Sequence, residues 1–238
     1  MLNQTLNNAE SPNSAKINQK PEESMKFDNY SSHLSVFEKV FSTFNVRHAL
    51  EFGPGKYSTK FMVNRCESVV SVEQDSCEWY NNLKSQISSP NWNIIFHQNQ
   101  DPRLIFNHFD AAGKKFDLVF SDGAYQTRCL VANLALERNV PVVLLHDAEK
   151  IWYYKWNLLN IPANYARFDF RHNQGAMKVT TVLANDKLDL IDKWVIPEQD
   201  RILHIYSSPR QPTFQMLYSQ LAVSYRPAKQ KTIDNPVE

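Results

Sequence analysis

The run Val46-Arg47-His48-Ala49-Leu50-Glu51-Phe52-Gly53-Pro54-Gly55-Lys56-Tyr57-Ser58-Thr59-Lys60 restricts the fold of this chain more than any other stretch. A short apolar segment ends in an acid, meets two glycines one residue apart, and passes into residues able to start a helix. Glycine has no Cβ, so it takes a tight or positive-φ turn and lets a ligand lie against the backbone. A strand feeding through such a turn into a helix leaves unpaired amides facing a nucleotide-like ligand. Pro54 stiffens the turn. A lone G-x-G is common in loops, and its weight here comes from the next strand. Val69-Val70-Ser71-Val72-Glu73 is a second apolar run ending in an acid. It lies about twenty residues on, where nucleotide-binding α/β units set a carboxylate against ribose hydroxyls. Strand, glycine turn, helix, strand and acid together predict a nucleoside-bearing ligand.

Composition narrows the partners. With 238 residues and 42% apolar content, the chain supports one sizeable core. Its 26 basic and 25 acidic side chains leave a formal charge of +1, so bulk electrostatics favours neither a polyanion nor a membrane surface. Cys66, Cys77 and Cys129 form no Cys-x-x-Cys pair, which predicts free thiols rather than disulfides or a thiolate zinc site. No apolar window nears the roughly eighteen residues of a membrane span. The first residues lack the basic-then-apolar pattern of a secretory signal. The expected location is cytoplasmic.

Along the chain, residues 1–28 are polar and interrupted by Pro12 and Pro21, which predicts a flexible leader. Residues 29–185 carry the folded domain. Leu34, Phe37, Val40, Phe41 and Phe44 have helical spacing. Strands are predicted at Ser68–Glu73, Trp92–His97, Phe116–Gly123 and Val140–Leu145, the last so continuously apolar that both its faces must be covered. Helices are predicted after the glycine turn, from Asp75 to about Ser89, and over Thr127–Arg138; an aromatic-rich helical stretch is predicted from Ile151 to Leu158. Tyr165–His172 and Lys178–Ala184 are joined by a short polar link, which predicts an antiparallel hairpin at a sheet edge. Residues 186–226 read as an appendage packed on the domain, and 227–238 as a tail.

Taken in order, residues 46–185 resemble the class I S-adenosylmethionine-dependent methyltransferases. The resemblance implies an α/β, Rossmann-like, mostly parallel seven-stranded sheet with a terminal antiparallel strand and helices on both faces. Glu51-x-Gly53-x-Gly55 is similar to the family's first motif, the loop under the methionine part of the cofactor, and Ser58 and Thr59 match hydroxyl residues often found where the next helix begins. Glu73 matches the second-strand acid that binds both ribose hydroxyls, and Asp122 ends the fourth strand, where cofactor-contacting or catalytic groups occur. Gln98 and Asn99, after the third strand, are the candidates for the adenine edge. The hairpin separates the pattern from dinucleotide-binding dehydrogenases, whose third glycine is replaced here by Ser58. The Ser71–Tyr80 segment, Ser121-Asp122-Gly123 with Arg128, and Leu145-His146-Asp147-Ala148-Glu149 resemble small-molecule O-methyltransferase-like proteins.

Asp122, His146 and Asp147 fall at the carboxyl ends of strands, where open α/β sheets bind ligands, and are the catalytic candidates. Either His146 or Asp122 acts as general base, or Asp122 and Asp147 hold a divalent cation such as magnesium that acidifies a substrate hydroxyl. Simpler roles stand beside these: Asp147 as a helix cap, Asp122 as a turn acid, His146 bonded to nearby backbone. His172 is a further pocket candidate, and Trp152, Tyr153, Tyr154 and Trp156 form either a substrate lid or a packed face. The basic residues are not gathered on one element, and neither an amino-directed DNA motif nor a Pro-Cys nucleophile is present, which disfavours a nucleic-acid substrate. The leading expectation is methyl transfer from S-adenosylmethionine to a hydroxyl of a small molecule, such as a sugar or polyhydroxylated metabolite. A non-catalytic cofactor-binding scaffold and a nucleic-acid methyltransferase are the alternatives.

Overall fold

The computed structural model describes residues 31–98, 101–172, 178–191, 194 and 202–208. The leader, Asn99, the C-terminal tail and most of the segment expected to be an appendage lie outside the described residues.

Runs of apolar residues unbroken by alternation form the centre of the sheet. β1 (His48–Phe52), β2 (Ser68–Glu73), β4 (Leu118–Ser121) and β5 (Val142–Leu145) are buried along nearly their whole length, as parallel strands covered on both faces must be. With β3 (Trp92–Phe96), β6 (Ala166–His172), β7 (Lys178–Ala184) and β8 (Ile202–Ser208) they give one sheet in the order β3-β2-β1-β4-β5-β7-β6-β8. The pairs among β1 to β5 are parallel. Strand order reverses at β1, so the ends of β1, β2 and β4 open onto one crevice.

Helices cover both faces. On one side lie α1 (Leu34–Thr43) and α2 (Ser58–Val63), whose Val36, Phe37, Val40 and Met62 are fully buried against Ala49, Phe120 and Leu144. On the other lie α4 (Pro102–Ala111) and α5 (Arg128–Glu137), packed on Leu50, Phe52, Val119 and Val143. Leu83 of α3 (Cys77–Gln86) closes a smaller cluster over Ile94. A short α6 (Leu188–Ile191) adds Ile191 to the α1 side. Cys66 and Cys129 are buried free thiols, pushed up to about 12 by burial, and Cys77 is exposed. Among the described residues no helix is long and apolar enough to cross a membrane.

The sheet is mostly parallel, as expected, with the antiparallel pairings gathered at one end. There β7 pairs with both β5 and β6 and sits between them. The short link between β6 and β7 forces their antiparallel pairing. β8, from the segment expected to be an appendage, extends the sheet along β6, with a register break at Asp169/Phe170. The aromatic stretch 151–158 is not an α-helix. Lys155 adopts φ +58, and the segment runs as turns into a 3-10 helix at Trp156–Leu158. That path buries Tyr154 and Trp156 while leaving Trp152 and Tyr153 outside.

Candidate functional site at the strand ends

The bend after β1 is held from beneath by Glu51. This carboxyl group is fully buried and accepts hydrogen bonds from Ser58 Oγ (2.6 Å), Thr59 Oγ1 (2.7 Å) and Ser71 Oγ (2.7 Å). Thr59 Oγ1 in turn accepts from the Gly55 amide, and Ser71 Oγ from Trp92 Nε1. Burial pushes the Glu51 carboxyl up to about 7, against the three hydroxyl bonds that favour its charged form. The sequence motif puts Glu51, Ser58 and Thr59 on a cofactor. In the structure their side chains are turned to one another under the bend, because a buried carboxyl group needs every donor within reach. Gly53 has φ +81, and a Cβ there would stand 2.4 Å from the Asp122 carbonyl and 2.5 Å from Gly123 Cα. Only glycine lets the ends of β1 and β4 approach this closely.

Glu73 stands beside that bend. The Gly53 amide donates to Val72 O at 3.0 Å, so the last residue of β2 adjoins the turn. Glu73 Oε1 accepts from the amides of Asp75 (2.7 Å) and Ser76 (3.0 Å). Ser76 caps α3 by accepting from the Trp79 amide, and Trp79 Nε1 donates to Pro54 O at 2.7 Å. The indole thus ties the start of α3 to the bend. Gln74, which no sequence motif marks, is 2% exposed. Its Oε1 accepts from Thr127 Oγ1 at 2.8 Å, while its Nε2 is buried without a partner. Nothing in local sequence distinguishes this glutamine from a surface one. Gln98 is exposed just past β3.

Asp122, His146 and Asp147 are brought together at the ends of β4 and β5. His146 Nδ1 lies 3.1 Å from Asp122 Oδ1 and 3.7 Å from Asp147 Oδ1, and its Nε2 lies 3.0 Å from Ser32 Oγ. Ser32 comes from the turn before α1, which no local motif could have linked to His146. An ionised Asp122 can only accept, so the Nδ1 atom carries the hydrogen and Ser32 donates to Nε2 in the neutral ring. Arg128 locks the corner. Its Nε donates to Gly123 O (2.7 Å) and its Nη2 to Asp122 O (2.9 Å), its Nη1 pairs with Asp122 Oδ1 (2.8 Å), and its guanidinium lies 4.0 Å from the Tyr154 ring centre. Asp147, at φ +54, turns its carboxylate to Lys178 Nζ, Tyr154 Oη (3.0 Å) and Lys150 Nζ (3.3 Å).

The electrostatics assign unequal parts to the three residues. Burial disfavours charge on each, yet mutual pairing overcomes it. The charges of His146 and Arg128 hold Asp122 below the usual carboxylate range, and Asp122, with Asp147 behind it, raises His146. Asp147 is held far down by His146, Lys178 and Arg128. Exposure separates them further: the Asp122 side chain is 23% exposed, those of His146 and Asp147 only 7% and 8%. Asp122 is therefore the member that faces outward. A ligand atom from each of the three lies within 4.8 Å of the others, a spacing that could hold a metal ion. The charges do not fit a resident divalent cation, however. Arg128 and Lys178 already occupy the carboxylates, and both imidazole nitrogens are engaged. His172 ends β6, and its side chain lies outside the described residues.

No family model matches the sequence, nor does any curated protein. Among solved structures, cofactor-bound Rv0187 from MTB is 13% identical, over 69% of this chain and 84% of its own, with a TM-score of 0.50. The O-methyltransferase TomG from Streptomyces achromogenes, in complex with SAM, is 15% identical over 65% and 78%, at 0.49. The 23S rRNA methyltransferase ErmE is 14% identical over 68% and 69%, at 0.46. At such identities the likeness extends to the fold and no further. The fold is that of the class I methyltransferases.

Proposed function

We propose that the chain binds S-adenosylmethionine across the ends of β1, β2 and β4 and directs its methyl group to a hydroxyl of a small molecule. The observation that carries this reading is the adjacency of Gly53 and Glu73, joined through the Gly53 amide on Val72 O. A nucleoside lying over the glycine bend would meet the Glu73 carboxylate at its ribose. Glu73 Oε1 is already fixed by two amides, which orients Oε2 for the hydroxyls before any ligand arrives. Two further features suit such a ligand. Gly53 lets the ends of β1 and β4 close up at the floor of the crevice, and Gln74 holds a buried polar atom in want of a partner.

When bound, S-adenosylmethionine supplies an electrophilic methyl on a sulfonium centre. The chain's part is to align an acceptor hydroxyl with it and to receive a proton, and alignment alone can supply much of the rate. Asp122 is the group for both tasks, because it is outward-facing and held ionised. Its low proton affinity is tolerable, since a hydroxyl becomes strongly acidic as its oxygen gains the methyl group. His146 and Arg128 fix the direction and charge of Asp122, and Asp147 with Lys178 holds His146 and Arg128 in turn. No step passes through a metal ion.

Titration calorimetry of the full chain with S-adenosylmethionine and, separately, with NAD tests the reading. Binding of S-adenosylmethionine and not NAD is expected. Binding of NAD alone would overturn it.

A further inference from the structure

We propose that Tyr125, Tyr153 and Trp152 form the platform on which the methyl acceptor lies, and that this acceptor is a neutral hydroxyarene; the inference rests on the functional reading above, with Asp122 as the group that meets the hydroxyl. Among the described residues, six large hydrophobic side chains are well exposed. Four of them, Tyr125 (45%), Trp152 (69%), Tyr153 (58%) and Leu158 (62%), belong to the segments after β4 and β5. Exposed rings gathered at the ligand-binding edge of a sheet mark a contact surface more often than scattered ones do.

The rings are ordered relative to the polar corner. Tyr125 and Tyr153 stack with centroids 5.1 Å apart and planes 29° apart, and Tyr153 meets Tyr154 edge-on at 4.9 Å. Tyr154 covers Arg128, whose Nη1 holds Asp122 Oδ1. A continuous row therefore runs from the exposed stack to the outward carboxylate, with Tyr125 only three residues beyond Asp122. A ring laid on the stack can bring its hydroxyl to that carboxylate.

Polarity and charge choose the class of ring. A sugar would bring several hydroxyls, each needing a partner once desolvated. The groups lining the carboxylates are taken: Arg128 by Asp122 and two carbonyls, Lys178 and Tyr154 by Asp147. The same pairings leave the carboxylates of Asp122 and Asp147 compensated by Arg128, Lys178 and Lys150, so a charged acceptor gains nothing there. An uncharged arene with one hydroxyl needs only ring faces and Asp122. Aromatic faces with lysines nearby can also stack nucleobases, and Lys155 is exposed on the same loop, so single-stranded RNA is the competitor to test.

The experiment measures binding of 2-naphthol, methyl β-D-glucopyranoside and a short oligouridylate to the full chain, each with and without S-adenosylhomocysteine. Saturable binding of 2-naphthol is expected, weakened about tenfold by Tyr125→Ala and by Tyr153→Ala and within about twofold of wild type for the Phe variants. The proposal is overturned if 2-naphthol does not bind, if the alanine variants bind it as wild type does, or if the glucoside or the oligonucleotide binds more tightly. S-Adenosylhomocysteine binding in the same samples separates the two failures. Its absence from wild type contradicts the functional reading, whereas its presence without 2-naphthol binding contradicts only this inference.

Discussion

Glu51 shows how a residue's surroundings set its part. Two residues before Gly53, its burial and three hydroxyl donors make it the anchor of the bend. Its carboxyl is raised from 4.5 to about 7, so the native chain holds that proton more tightly than the unfolded chain does. The resulting stability is fully present below pH 4.5 and is lost as pH rises to about 7. Urea unfolding of wild type and Glu51→Gln at several pH values should show wild type losing on the order of 3 kcal/mol relative to the variant across that window. A constant difference would contradict the assignment. At the other corner, Asp122 raises His146 above 6.5. Asp122→Asn should lower the His146 midpoint in a histidine NMR titration. In a methyl-transfer assay it should cost about a hundredfold in rate while cofactor binding stays near wild type. Gln74 and Ser32 are not legible at this scale, because what marks them is a partner, or the lack of one, set by distant chain.

At the scale of elements, sequence reads best where a pattern is both local and one-sided. The unbroken apolar runs of β2 and β5 and the spacing of Phe37 and Val40 in α1 need no tertiary information. α4 carries local signals of the same kind: Asp101 caps it by accepting from the Arg103 amide, Pro102 opens it, and Ile105, Phe106 and Phe109 form its buried face. The 151–158 segment misleads for the opposite reason. Its aromatic density suits a helix, yet the burial of Trp156 and Tyr154 is met by turns and a left-handed Lys155. The insertion of β7 between β5 and β6 depends on which strand finds two neighbours, and sequence order does not encode that. The joint of β1 and α2 carries the sharpest element-level prediction. Gly53→Ala would force a Cβ into the Asp122 carbonyl, and its cost should exceed about 3 kcal/mol in thermal or denaturant unfolding. A change under about 1 kcal/mol would mean that the two strand ends are free to part.

For the molecule as a whole, the sheet reversal at β1 turns separate features into one site. It sets the glycine bend beside Glu73 on one side and beside Asp122 and Gly123 on the other. The corner proposed for the cofactor is organised by backbone, and its glycines and acid stand out in sequence by their interval. At the other corner Asp122, His146 and Asp147 are marked in sequence by their place at strand ends, but their contacts with Ser32, Arg128 and Tyr154, drawn from three regions of the chain, come only with folding. The central claim is that Glu73 grips the sugar of an adenosyl ligand lying on that bend. Calorimetry with S-adenosylhomocysteine on wild type and Glu73→Ala tests it most directly. Saturable binding by wild type, weakened at least about tenfold in a variant that melts normally, is the expected result; equal binding by both, or none by wild type, would contradict it.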